Sequence, residues 1–102
     1  MADLQVANTI LEQLGGRRFL VMTGAKHLAG TVDALTFALP RNAKKVTHVK
    51  ITLMPSDTYR VTFWKLGRGL NGGLDVLGEE EGVYADNLQA VFTEGTGLYT
   101  HL

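Results

Sequence analysis

The chain has 102 residues, 45% hydrophobic and 20% charged, with ten basic residues balanced by ten acidic ones. That is the composition of one globular domain spanning 1–102, large enough for a core but too short for a second. The absence of cysteine excludes disulfides, thiolate metal sites and cysteine nucleophiles, and no apolar run approaches the ~20 residues of a membrane span.

The first residues, Met1-Ala2-Asp3-Leu4, lack the basic start and apolar stretch of a signal peptide, so the expected location is the cytoplasm. Asp3 is placed to cap a helix over residues 3–14, in which Leu4, Ala7, Ile10, Leu11 and Leu14 make one apolar stripe. Gly15-Gly16 ends it. The short apolar run 18–22 reads as a strand, and Gly24-Ala25-Lys26-His27 as a turn. A strand over 31–39 follows, with Leu35, Phe37 and Leu39 on one face, and Pro40 stops it.

The next two runs alternate most clearly. In 47–54, Val49, Ile51 and Leu53 oppose His48, Lys50 and Thr52. In 58–65, Tyr59, Val61 and Phe63 oppose Arg60, Thr62 and Trp64. With the turn residues Pro55-Ser56-Asp57 between them, they predict a hairpin. Residues 67–73 are glycine-rich and read as a loop, 74–77 as a short edge strand, and Glu79-Glu80-Glu81-Gly82 as a solvated turn. A second amphipathic helix carries Tyr84, Leu88, Val91 and Phe92, with Gly95 and Gly97 as stops and Leu98, Tyr99 and Leu102 as a packed tail. The expected fold is α+β: a single antiparallel sheet of four to five strands with the N- and C-terminal helices packed on one face.

The neutral total hides a segregation. Residues 16–70 hold all ten basic residues against Asp33 and Asp57, whereas 71–102 hold six acidic residues and no basic one. Such dipoles steer partners rather than decide folds. If the apolar side of the hairpin faces the helices, His48, Lys50, Thr52, Arg60, Thr62 and Trp64 face outward together. Cations that neutralise phosphate and a flat aromatic that stacks on an unpaired base are what nucleic-acid-binding sheets use. Arg41, Lys44, Lys45 and Arg68, with Arg17 and Arg18, are candidates to rim that surface. The plainer reading is a solubilising face, with Trp64 covered by a loop and the cations paired to the acidic third.

The acidic residues Glu79, Glu80 and Glu81, with Asp86 and Glu94, suggest a patch for a basic protein surface. The alternative is that Glu80, Glu81 and Asp86 favour the positive end of the last helix. Gly67-x-Gly69-x-x-Gly72 has dinucleotide-fingerprint spacing, but an acidic turn follows it instead of a helix, so no cofactor is expected. Ser56, the only serine, lies in a turn with no histidine near it in sequence. His27, His48 and His101 have no metal-ligand spacing, so neither catalysis nor a metal site is nominated.

Four segments carry a resemblance: NTILEQLGGRRFLVMTGAK (8–26), LTFALP (35–40), VKITL (49–53) and VYADNLQAVFTEGTGLYTHL (83–102). In order and together they resemble a group of small proteins of bacterial phages, prophages and mobile elements. The resemblance implies such an origin, a host-cytoplasm setting and an accessory role, and it transfers no catalytic or binding residue. The leading expectation is therefore a non-catalytic accessory protein that binds a host or defence protein. The rival is a single-stranded nucleic-acid-binding module using the basic sheet face, and a small enzyme is the least supported. Oligomeric state stays open, because an edge strand is able to pair with a second copy.

Overall fold

The computed structural model describes residues 4–66, 74–98 and 100. The elements run α1 (Gln5–Leu14), α2 (Arg17–Thr23), β1 (Lys26–Gly30), β2 (Ala34–Ala38), β3 (His48–Leu53), β4 (Tyr59–Leu66), β5 (Leu74–Val83), a 3₁₀ turn (Ala85–Asn87) and α3 (Leu88–Thr96). The five strands form one antiparallel sheet in the order β1-β2-β3-β4-β5, so every neighbour in space is a neighbour in sequence. The expected α+β architecture is what the chain adopts.

All three helices cover the same face. Ile10 and Leu14 of α1, Phe19 of α2 and Leu88 and Phe92 of α3 join Phe37, Val49, Ile51, Val61 and Phe63 of the sheet in one buried cluster. Phe19 meets Phe37 and Phe92 edge-to-face, with ring centroids 5.3 and 5.2 Å apart. Such ring pairs contribute ~0.5–1.5 kcal/mol beyond the area they bury. The alternation of β3 and β4 sends the other side chains to the opposite face, which carries no helix.

Several sequence expectations need correction. Residues 18–22 are not a strand: Arg17–Thr23 is the helix α2, in which Phe19 and Thr23, four apart, are both buried. A short apolar run suits either structure, and here the break at Gly15-Gly16 (φ 126° and 59°) restarts a helix. The anticipated turn at Lys26 and His27 is instead the start of β1, an exposed edge strand without apolar alternation. The cap of α1 is Leu4, without a side-chain capping bond; Asp3 lies outside the described residues, as does the whole glycine-rich loop 67–73. Gly95 sits inside α3, which ends at left-handed Gly97 (φ 77°). Tyr84 precedes the 3₁₀ turn and is exposed rather than on the buried side of the last helix.

The largest correction concerns the acidic segment. Glu79, Glu80 and Glu81 are not a turn but the second half of β5, a ten-residue strand. Their register is Thr62↔Glu79 and Val61↔Glu80, with irregularities between Tyr59 and Val61 and between Phe63 and Trp64. Gly82, at φ 68°, takes the left-handed conformation that the first irregularity needs. Charged residues suit this strand because it is the sheet edge, where Glu79, Glu80 and Glu81 are exposed.

Candidate nucleic-acid interface

The helix-free face is ordered in cross-strand rows. One row runs Lys26–Ala38–His48–Trp64–Val76 from β1 to β5. The next runs Thr36–Lys50–Thr62–Glu79, and a third pairs Ala34, Thr52 and Arg60. Ala34, Thr36 and Ala38 keep the β2 side of this face small, and Trp64 on β4 is partly buried. His48 and Trp64 are direct cross-strand partners.

The cations are not equivalent. Arg60 is engaged: its Nε and Nη2 donate to Glu81 Oε1 at 3.0 and 2.9 Å, and Glu79 Oε1 lies 3.8 Å from Nε. The Thr62 hydroxyl donates to Glu79 Oε2 at 3.3 Å. These are the ion pairs found among the described residues, and at such exposure each contributes only ~0–1 kcal/mol. Lys50 lies in mid-face without an ion pair to a described residue.

Arg41 and Lys45 come together elsewhere. They line an open cleft of about 770 Å³ with Pro40, Lys65 and Asp75. The loop between β2 and β3 is held by Asn42, whose side-chain amide donates to the carbonyls of Pro40 (3.0 Å) and Val46 (2.7 Å). Its Oδ1 accepts from the Val46 N–H at 3.0 Å. This clamp keeps Lys45 in a left-handed conformation, φ 61°, which a residue with a Cβ adopts only at a cost of ~1–3 kcal/mol.

Thr47 joins the cleft to the open face. Its hydroxyl accepts from the Leu66 N–H at 2.7 Å and lies 3.3 Å from the Trp64 carbonyl and 2.9 Å from His48 Nδ1. The Thr47 N–H donates to the same carbonyl at 2.8 Å. The end of β4, and with it the Trp64–His48 pair, is thereby pinned to the cleft wall.

The charges therefore separate along the strands. The end where β1, β3 and β5 begin carries Lys26, Arg41, Lys44, Lys45 and Lys65, against Asp75. The other end carries Asp33 before β2, Asp57 in the β3–β4 turn, Glu81 and Asp86, against Arg60. The dipole of the sequence becomes a dipole between sheet ends rather than a single plate. Antiparallel strands carry each third of the chain to both ends, so strand position matters more than sequence third.

Of the residues singled out from sequence, His48, Lys50, Arg60 and Trp64 share the open face, and Arg41 and Lys45 share the cleft at its edge. Lys44 departs: it lines a different groove, beside α3. Arg17 and Arg18 begin α2 on the helix side, and Arg68 lies outside the described residues. Of the acidic triplet, Glu79 and Glu81 meet Arg60, and Glu79 and Glu80 line the groove by α3. Lys65, Asn42 and Thr47 emerge only from the fold. An asparagine two residues after a proline is a turn signal, and it was the one available hint.

No protein-family model, curated protein or solved structure matches this chain.

Proposed function

We propose that the protein is a non-catalytic binding module that takes single-stranded nucleic acid at the cationic end of its sheet. The observation that carries this reading is the meeting of three cations without described ion partners, Arg41, Lys45 and Lys65, with Trp64 on the adjoining helix-free face. Phosphates would sit against the cleft, and an unpaired base on the indole. A duplex offers phosphates but no free base face, so single strands are the preferred form. The resemblance in sequence to phage and mobile-element proteins fits an accessory role for such a module in a host cytoplasm.

A protein partner is the second reading. Arg60 engages Glu79 and Glu81, but the groove beside α3, lined by Glu79, Glu80 and Glu94, supports a narrower form of it.

The test is a titration of an oligothymidylate of about 12 nucleotides, within the site sizes of single-strand binders. Trp64 is the only tryptophan, so its fluorescence reports directly on the face. Quenching that saturates at micromolar concentration in low salt, and is weaker with duplex of equal length, is the expected result. Unchanged fluorescence and no mobility shift with any single or double strand would end this reading.

A further inference from the structure

The proposal concerns a second surface and does not rest on the nucleic-acid reading. Between α3 and β5 lies an open groove of about 350 Å³. Phe63, Val91 and Leu77 give it apolar walls, and Glu79, Glu80, Glu94 and Lys44 are its charged lining. Glycines make it. A Cβ on Gly95 would collide with the Phe63 ring, so α3 presses directly onto β4 there. A Cβ on Gly78 would meet Phe63 at 3.8 Å, an ordinary contact, so Gly78 simply leaves the ring's flank open. Leu77 remains 47% exposed beside it.

We propose that this groove receives a short extended segment of a partner protein in which a basic side chain neighbours an apolar one, laid alongside β5. Charge complementarity selects the occupant: Glu80 and Glu94 have no ion partner among the described residues, and together they outweigh Lys44. The groove floor selects the apolar neighbour. Regular pairing in β5 covers only Gly78, Glu79 and Glu80 between its two irregularities, so the docked segment is short.

A second copy fits poorly. Pairing β5 with β5 of another copy would set carboxylates opposite carboxylates. Pairing it with β1 meets a strand irregular between Lys26 and Ala29, with His27 at φ 56°.

The experiment uses the full chain, isotope-labelled, titrated with a blocked KVKVK peptide and with EVEVE as control. Saturable amide shifts at Gly78, Glu80, Val91 and Gly95 with the lysine peptide alone are expected. Glu80→Gln with Glu94→Gln should weaken that binding at least tenfold. Gly78→Ala, whose Cβ fits, should keep the native spectrum and weaken binding severalfold. Four results would each overturn the proposal: no saturable shift at millimolar peptide, equal shifts with the glutamate peptide, affinity unchanged in the glutamine variant, or the same shifts produced by raising protein concentration alone.

Discussion

The two ends of the sheet share one alternation of side chains and handle charge in opposite ways. At the end where β5 finishes, Arg60 is held by Glu81 at 2.9 Å with Glu79 near. At the end where β3 begins, Arg41, Lys45 and Lys65 gather in a cleft without described ion partners. One end pairs its cation with carboxylates, and the other leaves Arg41, Lys45 and Lys65 without an ion pair to a described residue, although Asp75 faces Lys65 across the strands. A basic residue on a sheet is thus not a binding residue by type; its neighbours across the strands decide.

The sharpest way to break the comparison is to remove the unpaired cations. Arg41→Gln, Lys45→Gln and Lys65→Gln together should lower oligonucleotide affinity on the order of a hundredfold at ~50 mM salt, and reduce the single-strand salt slope by about 2. Fluorescence titration checks both, and the exposed sites should leave the melting temperature nearly unchanged. Trp64→Ala should cost ~1–3 kcal/mol of binding, roughly 5- to 150-fold, through lost stacking. Because it removes the fluorophore, this variant is measured by calorimetry.

Asn42→Ala tests whether the cleft is built or accidental. Two carbonyls and one N–H lose their partner, so ~1 kcal/mol of stability should go, seen in urea unfolding. Affinity should fall severalfold as Arg41 and Lys45 lose their fixed loop.

Tyr59 gives a pH test of the core. Its hydroxyl donates to Gln13 Oε1 at 2.6 Å, and burial raises its pKa above the ordinary 10.0 despite that bond. Above pH 10.0 the unfolded chain would ionise Tyr59 while the folded chain keeps it neutral. The unfolded state then binds fewer protons, so stability falls as pH rises through that region and is unaffected below it. Tyr59→Phe should make that alkaline fall shallower. The smallest effect is expected at Arg60→Gln, with oligonucleotide affinity changing less than about twofold, because that cation is already neutralised.

Much of this architecture was legible in the chain. The β3–β4 hairpin was readable because Val49, Ile51, Val61 and Phe63 alternate strictly with polar residues, and the register places Ile51 opposite Val61. That alternation also put His48, Lys50 and Trp64 on one face. β1 and the second half of β5 were not readable, because an edge strand whose side chains are mostly exposed has little reason to alternate. α2 failed for another reason: seven residues are too few for periodicity to separate helix from strand.

The site followed the same division. Lys65 joins Arg41 and Lys45 only because β2, β3 and β4 bring one end of the sheet together. The pairing of Arg60 with Glu81, 21 residues away, needed β4 and β5 in register. Sequence shows which charges exist; the fold determines which of them meet, as Arg60 and Glu81 do.

The most direct trial of the central claim is the logarithm of the oligothymidylate association constant against the logarithm of salt concentration, for the unaltered chain. Three phosphate contacts in the cleft predict a straight line with a slope of about −2 for a single strand. A flat line, or one equally steep after Arg41, Lys45 and Lys65 are neutralised, would mean that the cationic end of the sheet binds no polyanion.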